Sequence, residues 1–241
     1  MAIGQNISVF CNGVNLGAWL KSINFEATRE ELDATVLLNN YRSYVPSFNS
    51  GSISCEGLWS SDAANADEIH DIFQLAYTNA TTNVVTASLG TIAVGDNALM
   101  MNGVQMKYGV PTTVGELIMA QAEFRATDGA LFGKWLANVQ LNSGTTNGTS
   151  VDNSAASTNG GIFHVHLNNS TASDCDFKVQ HSTDNSSWAD LTGAAVNNLS
   201  ATYASGTATV AAGTTVNRYI RLVSVITGGN TVLVSAAFAR R

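Results

Sequence analysis

The sequence is poor in charged residues, and in basic residues most of all. Only 12% of the 241 residues are charged, and 11 Lys and Arg stand against 18 Asp and Glu, for a formal net charge of −7. Affinity for nucleic acid comes from clustered Lys and Arg that displace counterions from phosphates. The composition therefore argues against a nucleic-acid-binding protein. A surface of Ser, Thr, Asn and Ala suits dry contacts between subunits, although a soluble monomer with a weakly charged exterior is an alternative.

Cysteine and long hydrophobic runs are also scarce. The three cysteines, Cys11, Cys55 and Cys175, are odd in number and far apart, which argues against a disulfide framework or a zinc knuckle and predicts buried free thiols. The first 20 residues lack the pattern of a signal peptide, and no apolar run is long enough to cross a bilayer. These features predict a soluble protein made in the cytoplasm, with no membrane insertion.

Motifs of enzymes and cofactor-binding proteins are missing. The sequence contains no nucleophile elbow, P-loop, dinucleotide fingerprint or zinc-protease helix. His164 and His166 lie two residues apart and could hold a metal with Asp174 or Asp176, but a surface histidine pair is the favoured interpretation. We therefore predict no catalytic residues, no cofactor and no metal.

The composition changes near residue 141. All of the net negative charge lies before residue 151, where six basic residues stand against thirteen carboxylates, while five of each follow. Asn, Ser, Thr, Gly and Ala dominate the stretch between the two parts. This pattern predicts a first domain over residues 1–140, a flexible linker over residues 141–161, and a second domain over residues 162–241.

Strands dominate the hydrophobic pattern. Short segments with apolar residues at alternate positions recur along the chain and are closed by Gly, Asn or Ser, and near the end Asn217–Ile226 and Thr231–Phe238 are predicted as two strands around a Gly228-Gly229-Asn230 turn. One amphipathic helix is predicted from Ala66, Ile69, Phe73 and Ala76. The fold class is therefore mainly β: an N-terminal sandwich or barrel with one flanking α-helix, followed by a C-terminal β-sandwich.

A long polar insertion, Ala27 to Ser50, separates two predicted strands. Connections of this length inside compact domains are uncommon and usually functional. Two interpretations have equal weight: the insertion is covered by a neighbouring subunit, or it is a hairpin folded back on its own domain. Its candidate inter-subunit residues are Arg29, Glu30, Glu31, Asp33, Leu37, Leu38, Arg42 and Tyr44.

Residues 17–59 resemble the start of a siphophage tail tube protein, also called the major tail protein. One matching element is the Leu-Asp-x-Thr stretch of Leu32, Asp33 and Thr35. The other is the Gly-flanked strand that begins at Gly51 and closes at Gly57 and Trp59. The helix and the Val114 to Leu117 segment follow in the family's order, so that the resemblance covers about residues 3 to 135.

The resemblance implies a structural virion protein. Family members form hexameric rings that stack into a tube, the long loop reaches neighbouring subunits, and the genome passes through the channel without specific binding. Tape-measure and terminator proteins are the other implied partners, and the implied location is the phage tail, assembled in the host cytoplasm. A wall of carboxylates repels phosphates, and Glu116, Glu123 and Asp128 are the candidate lumen residues, with a solvated strand face as the alternative.

The second domain resembles accessory β-sandwiches, of immunoglobulin-like or carbohydrate-binding-like type, on phage virion proteins. The resemblance rests on FKVQHSTDNSSWADL and the later RYIRLV. Such a domain on a linker would project outward and contact the host surface, with Trp188, Tyr203 and Tyr219 as candidate glycan contacts against the alternative of core aromatics. The alternative function for the whole chain is a two-domain glycan-binding or adhesin-like module. If the linker is flexible, truncation after residue 143 leaves assembly intact.

Overall fold

A computed structural model describes residues 7–36, 41–61 and 67–241. It is mainly β with a single α-helix in the described part, which confirms the predicted fold class. No helix within those residues is long and apolar enough to span a membrane. The elements in chain order are β1 Ser8–Cys11, β2 Val14–Asn15, a 3-10 turn Leu16–Ala18, β3 Leu20–Asp33, β4 Tyr44–Leu58, α1 Ile69–Asn79, β5 Asn83–Ser88, β6 Asn97–Gly109, β7 Met119–Ala126, β8 Leu131–Asn147, β9 Val151–Asp152, β10 Gly161–Ser170, β11 Asp174–Ser182, β12 Ala189–Leu199, β13 Ala204–Val210 and β14 Tyr219–Arg240.

The N-terminal unit is a curved antiparallel sheet packed on α1. Strands β3, β4, β7 and β6 are neighbours in that order, and β6 continues the sheet to β5 and β1. The helix buries Ile69, Ile72, Phe73 and Ala76, three of the four residues from which it is predicted; Ala66 lies outside the described residues. These side chains meet Phe124 and its neighbours in one hydrophobic cluster, so the apolar stripe of the helix and one face of the sheet form a shared core.

The predicted linker, residues 141–161, is instead largely paired backbone. Residues 131–147 form the single strand β8, in which Leu141 pairs with Val232 and Asn147 pairs with Val223 of β14. Strand β9 also pairs with β14, and Val151 is buried. A run of Asn, Ser, Thr and Gly lacks a hydrophobic pattern of its own, but its backbone forms the same ladder hydrogen bonds as any other when a partner strand lies beside it.

The C-terminal unit comprises β9 to β14, and strand β14 joins its two sheets. Its first half pairs with β11 and its second half with β10, and the register shifts between Ile226 and Thr231. The two strands predicted around Gly228 are therefore one long strand with an irregularity at that glycine. Phe163 of β10 and Phe177 of β11 lie in the core cluster that the two halves of β14 enclose, which gives the sandwich predicted for this part of the chain.

The sheet that contains β10 is covered on both faces. The seven residues of β10 from Gly161 to Leu167 are all buried. Their odd-numbered side chains enter the sandwich core, while the even-numbered ones face the N-terminal unit. A separate cluster forms at this second face, and the Phe10 and Trp135 rings meet edge to face there with centroids 5.6 Å apart. Its members are Phe10, Ala98, Met100, Trp135, Ile162, Ala237 and Ala239.

The two units are thus packed against each other. Gly13 lies so close to the start of β13 that a Cβ atom there would be 2.5 Å from the carbonyl carbon of Tyr203. Its φ of 96° is also one that residues other than glycine rarely adopt. One continuous sheet crosses the predicted boundary between the domains. The division at residues 140 and 162 therefore stays a prediction.

Truncation after residue 143 is expected to unfold the N-terminal unit. It would remove β10 and β14 and uncover Phe10 and Trp135, which are both 0% exposed. Burial of such aromatic side chains contributes on the order of several kcal/mol, a large part of a domain's stability. Circular dichroism and dye binding should report a loosely packed or aggregated product.

Trp135→Ala in the full chain is a milder version of the same test. It should lower the free energy of unfolding by about 3–5 kcal/mol, whereas Leu117→Ala, at a residue 67% exposed, should change it by less than about 0.5 kcal/mol. A truncated chain that unfolds cooperatively at the wild-type temperature would contradict the role assigned to this contact.

Candidate assembly surfaces

The predicted insertion, residues 27–50, forms a projecting hairpin that contains the end of β3 and the start of β4. It is here called the arm, and its described part is residues 27–36 and 41–50. Strands β3 and β4 continue into it, with Leu32 opposite Val45 and Asp33 opposite Tyr44. Almost every described residue of the arm is exposed, with Ser47 half-buried. A hairpin folded back on its own domain would bury one face, so this interpretation is wrong.

The candidate inter-subunit residues fall into two groups. Arg29, Glu30, Glu31, Asp33, Arg42 and Tyr44 are all exposed on the arm, whereas Leu37 and Leu38 lie outside the described residues. Hydrogen bonds from the side chain and backbone of Thr35 lower the pKa of Asp33. Their part in subunit contacts stays a prediction.

Large apolar side chains accompany these charges on the arm. Val36 is 60% exposed and Tyr41 84% exposed, and Leu32, Tyr44 and Val45 are about half exposed. Solvent contact of this many neighbouring apolar residues is unfavourable, and such patches mark surfaces that bind another molecule.

The second surface is the outer face of the sheet formed by β3, β4, β7 and β6, here called the polar face. The register aligns Asn24, Ser54, Glu123 and Lys107 in one row across the four strands. A second row contains Ser22, Glu56 and Gln121, and a third contains Glu26, Ser52 and Arg125. Because side chains alternate along a strand, the apolar residues between these positions face α1.

Charges on the polar face are few and partly paired. Glu26, Glu56 and Glu123 stand against Lys107 and Arg125. Arg125 donates to Glu123 at 2.8 Å, and the Gln121 amide donates to Glu56 at 2.9 Å. The result is a hydrophilic surface with a small excess of negative charge.

Only one candidate lumen residue lies on the polar face. Glu123 is there, but Glu116 is in the exposed loop between β6 and β7, and Asp128 accepts a hydrogen bond from Asn102 and pairs with Arg241 at 3.6 Å. Sequence reasoning missed Glu26 and Glu56, although the alternation of Ile23 and Phe25 with polar residues in β3 was a signal that could have found Glu26.

The three candidate glycan contacts are already engaged within the chain. The Tyr203 hydroxyl donates to Asp67 of the N-terminal unit at 2.7 Å, and this bond raises the pKa of Tyr203 to about 12. The Arg221 guanidinium lies 4.3 Å from the centre of the Trp188 ring, and that of Arg218 lies 4.9 Å from the Tyr219 ring. Trp188 and Tyr219 are half-buried rather than core residues.

His164 and His166 are buried at the contact between the units, so the surface-pair interpretation is wrong. The Gly13 N–H donates to Nδ1 of His166 at 3.3 Å, and the Thr86 hydroxyl lies 2.9 Å from both Nε2 of His166 and Nδ1 of His164. Asp174 and Asp176 are on β11, in the opposite layer of the sandwich. Within the part of the chain that the structure describes, no group of three metal-ligating side chains occurs.

The hydrogen bonds define one chain of proton donors. Because Nδ1 of His166 accepts from Gly13, its Nε2 carries the proton and donates to Thr86, whose hydroxyl then donates to His164. The remaining Nε2–H of His164 has no partner among the described residues. Both rings are therefore neutral, and burial lowers the pKa of His164 to about 3 and that of His166 well below its ordinary value.

No protein-family model and no curated protein matches the chain. Several solved structures resemble it, and three of them are described here. A chain from the virion of a native gene transfer agent particle is 10% identical with a TM-score of 0.44, over 55% of this chain and 98% of that chain. A chain from the tail of an empty gene transfer agent particle, with C6 symmetry, is 11% identical with a TM-score of 0.38, over 47% and 81%.

The third is the Dit protein of phage SPP1, described as a hub of the adsorption apparatus in phages that infect Gram-positive bacteria. It is 9% identical with a TM-score of 0.35, over 97% of this chain and 99% of that one. At these TM-scores the likenesses carry no weight for function.

Mild acid is expected to destabilise the protein through the buried histidines. Burial lowers the pKa values of both histidines in the folded state, so only the unfolded state takes up protons as the pH falls below the unfolded pKa of 6.5. Protonation therefore favours the unfolded state, and the stability that the protein has above this pH is lost below it. For two such groups the loss between pH 7.5 and 5.5 is roughly 2–3 kcal/mol. Urea unfolding at the two pH values measures it.

His164→Gln/His166→Gln is the matched variant. It keeps polar side chains at the contact but removes both titrating rings, so it should be less stable at pH 7.5 and lose less stability on acidification. Equal losses in variant and wild type would contradict the assignment of the pH dependence to these residues.

Proposed function

We propose that the chain is a non-enzymatic structural subunit of a phage tail tube, which assembles into stacked hexameric rings around a channel for the genome. The arm is the observation that carries this proposal. It is a two-stranded projection with apolar and charged residues in solvent, and a lone hairpin of this kind gains stability only when another surface covers it.

Unpaired strand edges support head-to-tail assembly. Among the described residues, β3 pairs only with β4, and the end of β6 from Val104 to Gly109 pairs only with β7. The four strands of the polar face therefore have a free edge on each side. Joining one edge to the other edge of the next copy removes both and closes the strands into a barrel, in which every copy makes the same contact.

The polar face supports the role of a channel wall. Its rows are mostly Ser, Asn, Gln and Glu, with two cations that are outnumbered by carboxylates. Tight binding to DNA needs several uncompensated Lys and Arg contacts with phosphates. A wall of this composition allows a polyanion to pass without retaining it.

A glycan-binding module gains no support from the aromatic residues named for it. Each of Trp188, Tyr203 and Tyr219 already has an intramolecular partner at its ring or hydroxyl.

Replacing residues 32–45 by Asn-Gly tests the arm. The shortened hairpin keeps β3 and β4 paired as far as Glu31 and Pro46, and Asn-Gly suits a two-residue turn. The variant should remain a folded monomer, because the described residues removed are exposed, but should form no rings or tubes. Light scattering and electron microscopy measure the outcome.

Val114→Ser/Leu117→Ser is the control for the arm variant. These residues are more exposed than the apolar residues of the arm other than Tyr41. They lie in the loop between β6 and β7, and the variant should assemble as the wild type does. Tubes that grow at the normal rate without residues 32–45 would exclude the arm from assembly.

Glu56→Lys/Glu123→Lys tests the polar face. The change reverses two charges of the face, so assembled tubes should retain DNA, with an affinity that falls on the order of tenfold or more between 50 and 200 mM salt. Asp174→Lys/Asp190→Lys makes the same change of charge on the C-terminal unit and should retain much less. Equal retention by the two variants would rule out the polar face as the lining.

A further inference from the structure

A groove runs beside the base of the arm, on both sides of Phe132. On one side is a cavity of about 550 Å³ whose walls include Thr28 and Ser50 of the arm, together with Leu131 and Phe132. On the other side is a cavity of about 600 Å³ that includes Leu89 and Leu99. We call the two cavities together the Phe132 groove.

Phe132 is an unusual residue to leave in solvent. It is 66% exposed, and its ring meets only the edge of Phe25, at 5.6 Å between ring centroids, among the aromatic side chains of the described chain. Leu89 is 56% exposed in the neighbouring cavity. Together they form an apolar floor that the described residues of a single copy leave uncovered.

The arm side of the groove is positively charged. Arg29, Arg240 and Arg241 line this cavity with a single carboxylate, Asp128. The ion pair of Arg241 with Asp128 is long, at 3.6 Å, and both side chains are partly exposed, so Arg241 is available for another partner. In a chain with a net charge of −7, such a cluster is an exception. The second cavity contains one more carboxylate, Asp96.

The arm tip has the complementary composition. Beyond Arg29 it contains three carboxylates, Glu30, Glu31 and Asp33, against one cation, Arg42. Its exposed apolar side chains are Leu32, Val36, Tyr41, Tyr44 and Val45. An acidic and apolar tip matches a basic and apolar groove both in charge and in hydrophobic contact.

The tip cannot reach the groove of its own copy. Residues 27–29 and 49–50 form one wall of the groove, and β3 and β4 run on from there, paired, to Asp33 and Tyr44. At about 3.3 Å per residue, Leu32 and Val45 lie on the order of 10 Å beyond the wall, and Asp33 and Tyr44 lie farther still. A second copy must therefore supply the tip that fills the groove.

We propose that the arm tip of one copy binds in the Phe132 groove of the next, with Leu32 and Val45 on Phe132 and the tip carboxylates near Arg29 and Arg241. This contact rests on the proposed function, since it defines which surface of the neighbouring subunit the arm engages. It joins two different patches head to tail, and such contacts close into rings when the rotation permits.

Disulfide formation between two singly substituted chains tests the contact. Leu32→Cys and Phe132→Cys proteins are mixed, allowed to assemble, and oxidised gently; the native Cys11, Cys55 and Cys175 are buried. A covalent dimer should form in the mixture and not in either protein alone. Leu117→Cys mixed with Phe132→Cys is the matched control: Leu117 is at least as exposed as Leu32 but lies outside the arm, so this mixture should give no dimer.

A charge exchange gives a second readout. Arg241→Glu should raise the protein concentration needed for assembly about tenfold, and Glu30→Arg/Glu31→Arg in the same chain should restore most of the loss. Phe132→Ser should impair assembly, but its melting temperature should stay near that of the wild type because the side chain is mostly in solvent.

The outcomes separate the groove from the tube. If tubes form but no mixed disulfide appears and Phe132→Ser assembles normally, the groove assignment is overturned while the tube role stands. A disulfide within the Leu32→Cys protein alone would identify contacts between two arms and would also overturn it. If the wild type stays monomeric at every concentration, the proposed function fails, and the contact fails with it.

Discussion

Antiparallel pairing between β8 and β14 is the interaction on which the rest of the structure depends. It runs from Gly133 opposite Ala239 to Asn147 opposite Val223, and β8 also pairs with β6 of the N-terminal unit. Through these two strands, one sheet passes from the first unit into the second. The hydrogen bonds of the ladder hold Trp135 and Ala237 at the contact between the units, where they complete a buried cluster.

Burial on both faces of the β10 sheet follows from this arrangement. A sheet covered on one side only would have left His164 and His166 in solvent, where they would titrate near neutral pH. Packing against β5 removes them from water and makes Thr86 and Gly13 their partners. Each polar group inserted into this contact therefore needs a specific partner from the other unit, which selects one relative position of the two.

The arm and the polar face stand in contrast to this closed interior. The β3 and β4 strands are built on a well-packed base at Ile53 and Cys55, but no other described part of the chain covers their far ends. The projecting arm and the free strand edges lie on the N-terminal unit, and the groove at the base of the arm is lined by that unit together with Arg240 and Arg241 at the end of β14. In our proposal these features are the complementary halves of repeated contacts between copies, and a lone copy leaves all of them unsatisfied.

Several features could be predicted from the sequence because the local pattern is strong. Alternation in β7 separates Gln121 and Glu123 from Ala122 and Phe124, and the structure places these pairs on opposite faces. The helix is recognisable from Ile69, Phe73 and Ala76, since only one side of a 3.6-residue repeat is apolar there. The exposed character of the arm follows from its many charges between two strand patterns.

Other features were decided by tertiary structure alone. Residues 141–147 have weak preferences of their own and become a strand because β14 lies beside them. Gly228 is a residue type typical of turns, yet it lies within a single strand for the same reason. Residue type also misleads at the histidine pair and at Phe132, because the polar His164 and His166 are buried and the aromatic Phe132 is exposed. The sequence by itself determined the strand-rich class, the helix and the uneven charge, because these are local patterns; which faces are covered depended on partners far away in the chain, and no local pattern encodes them.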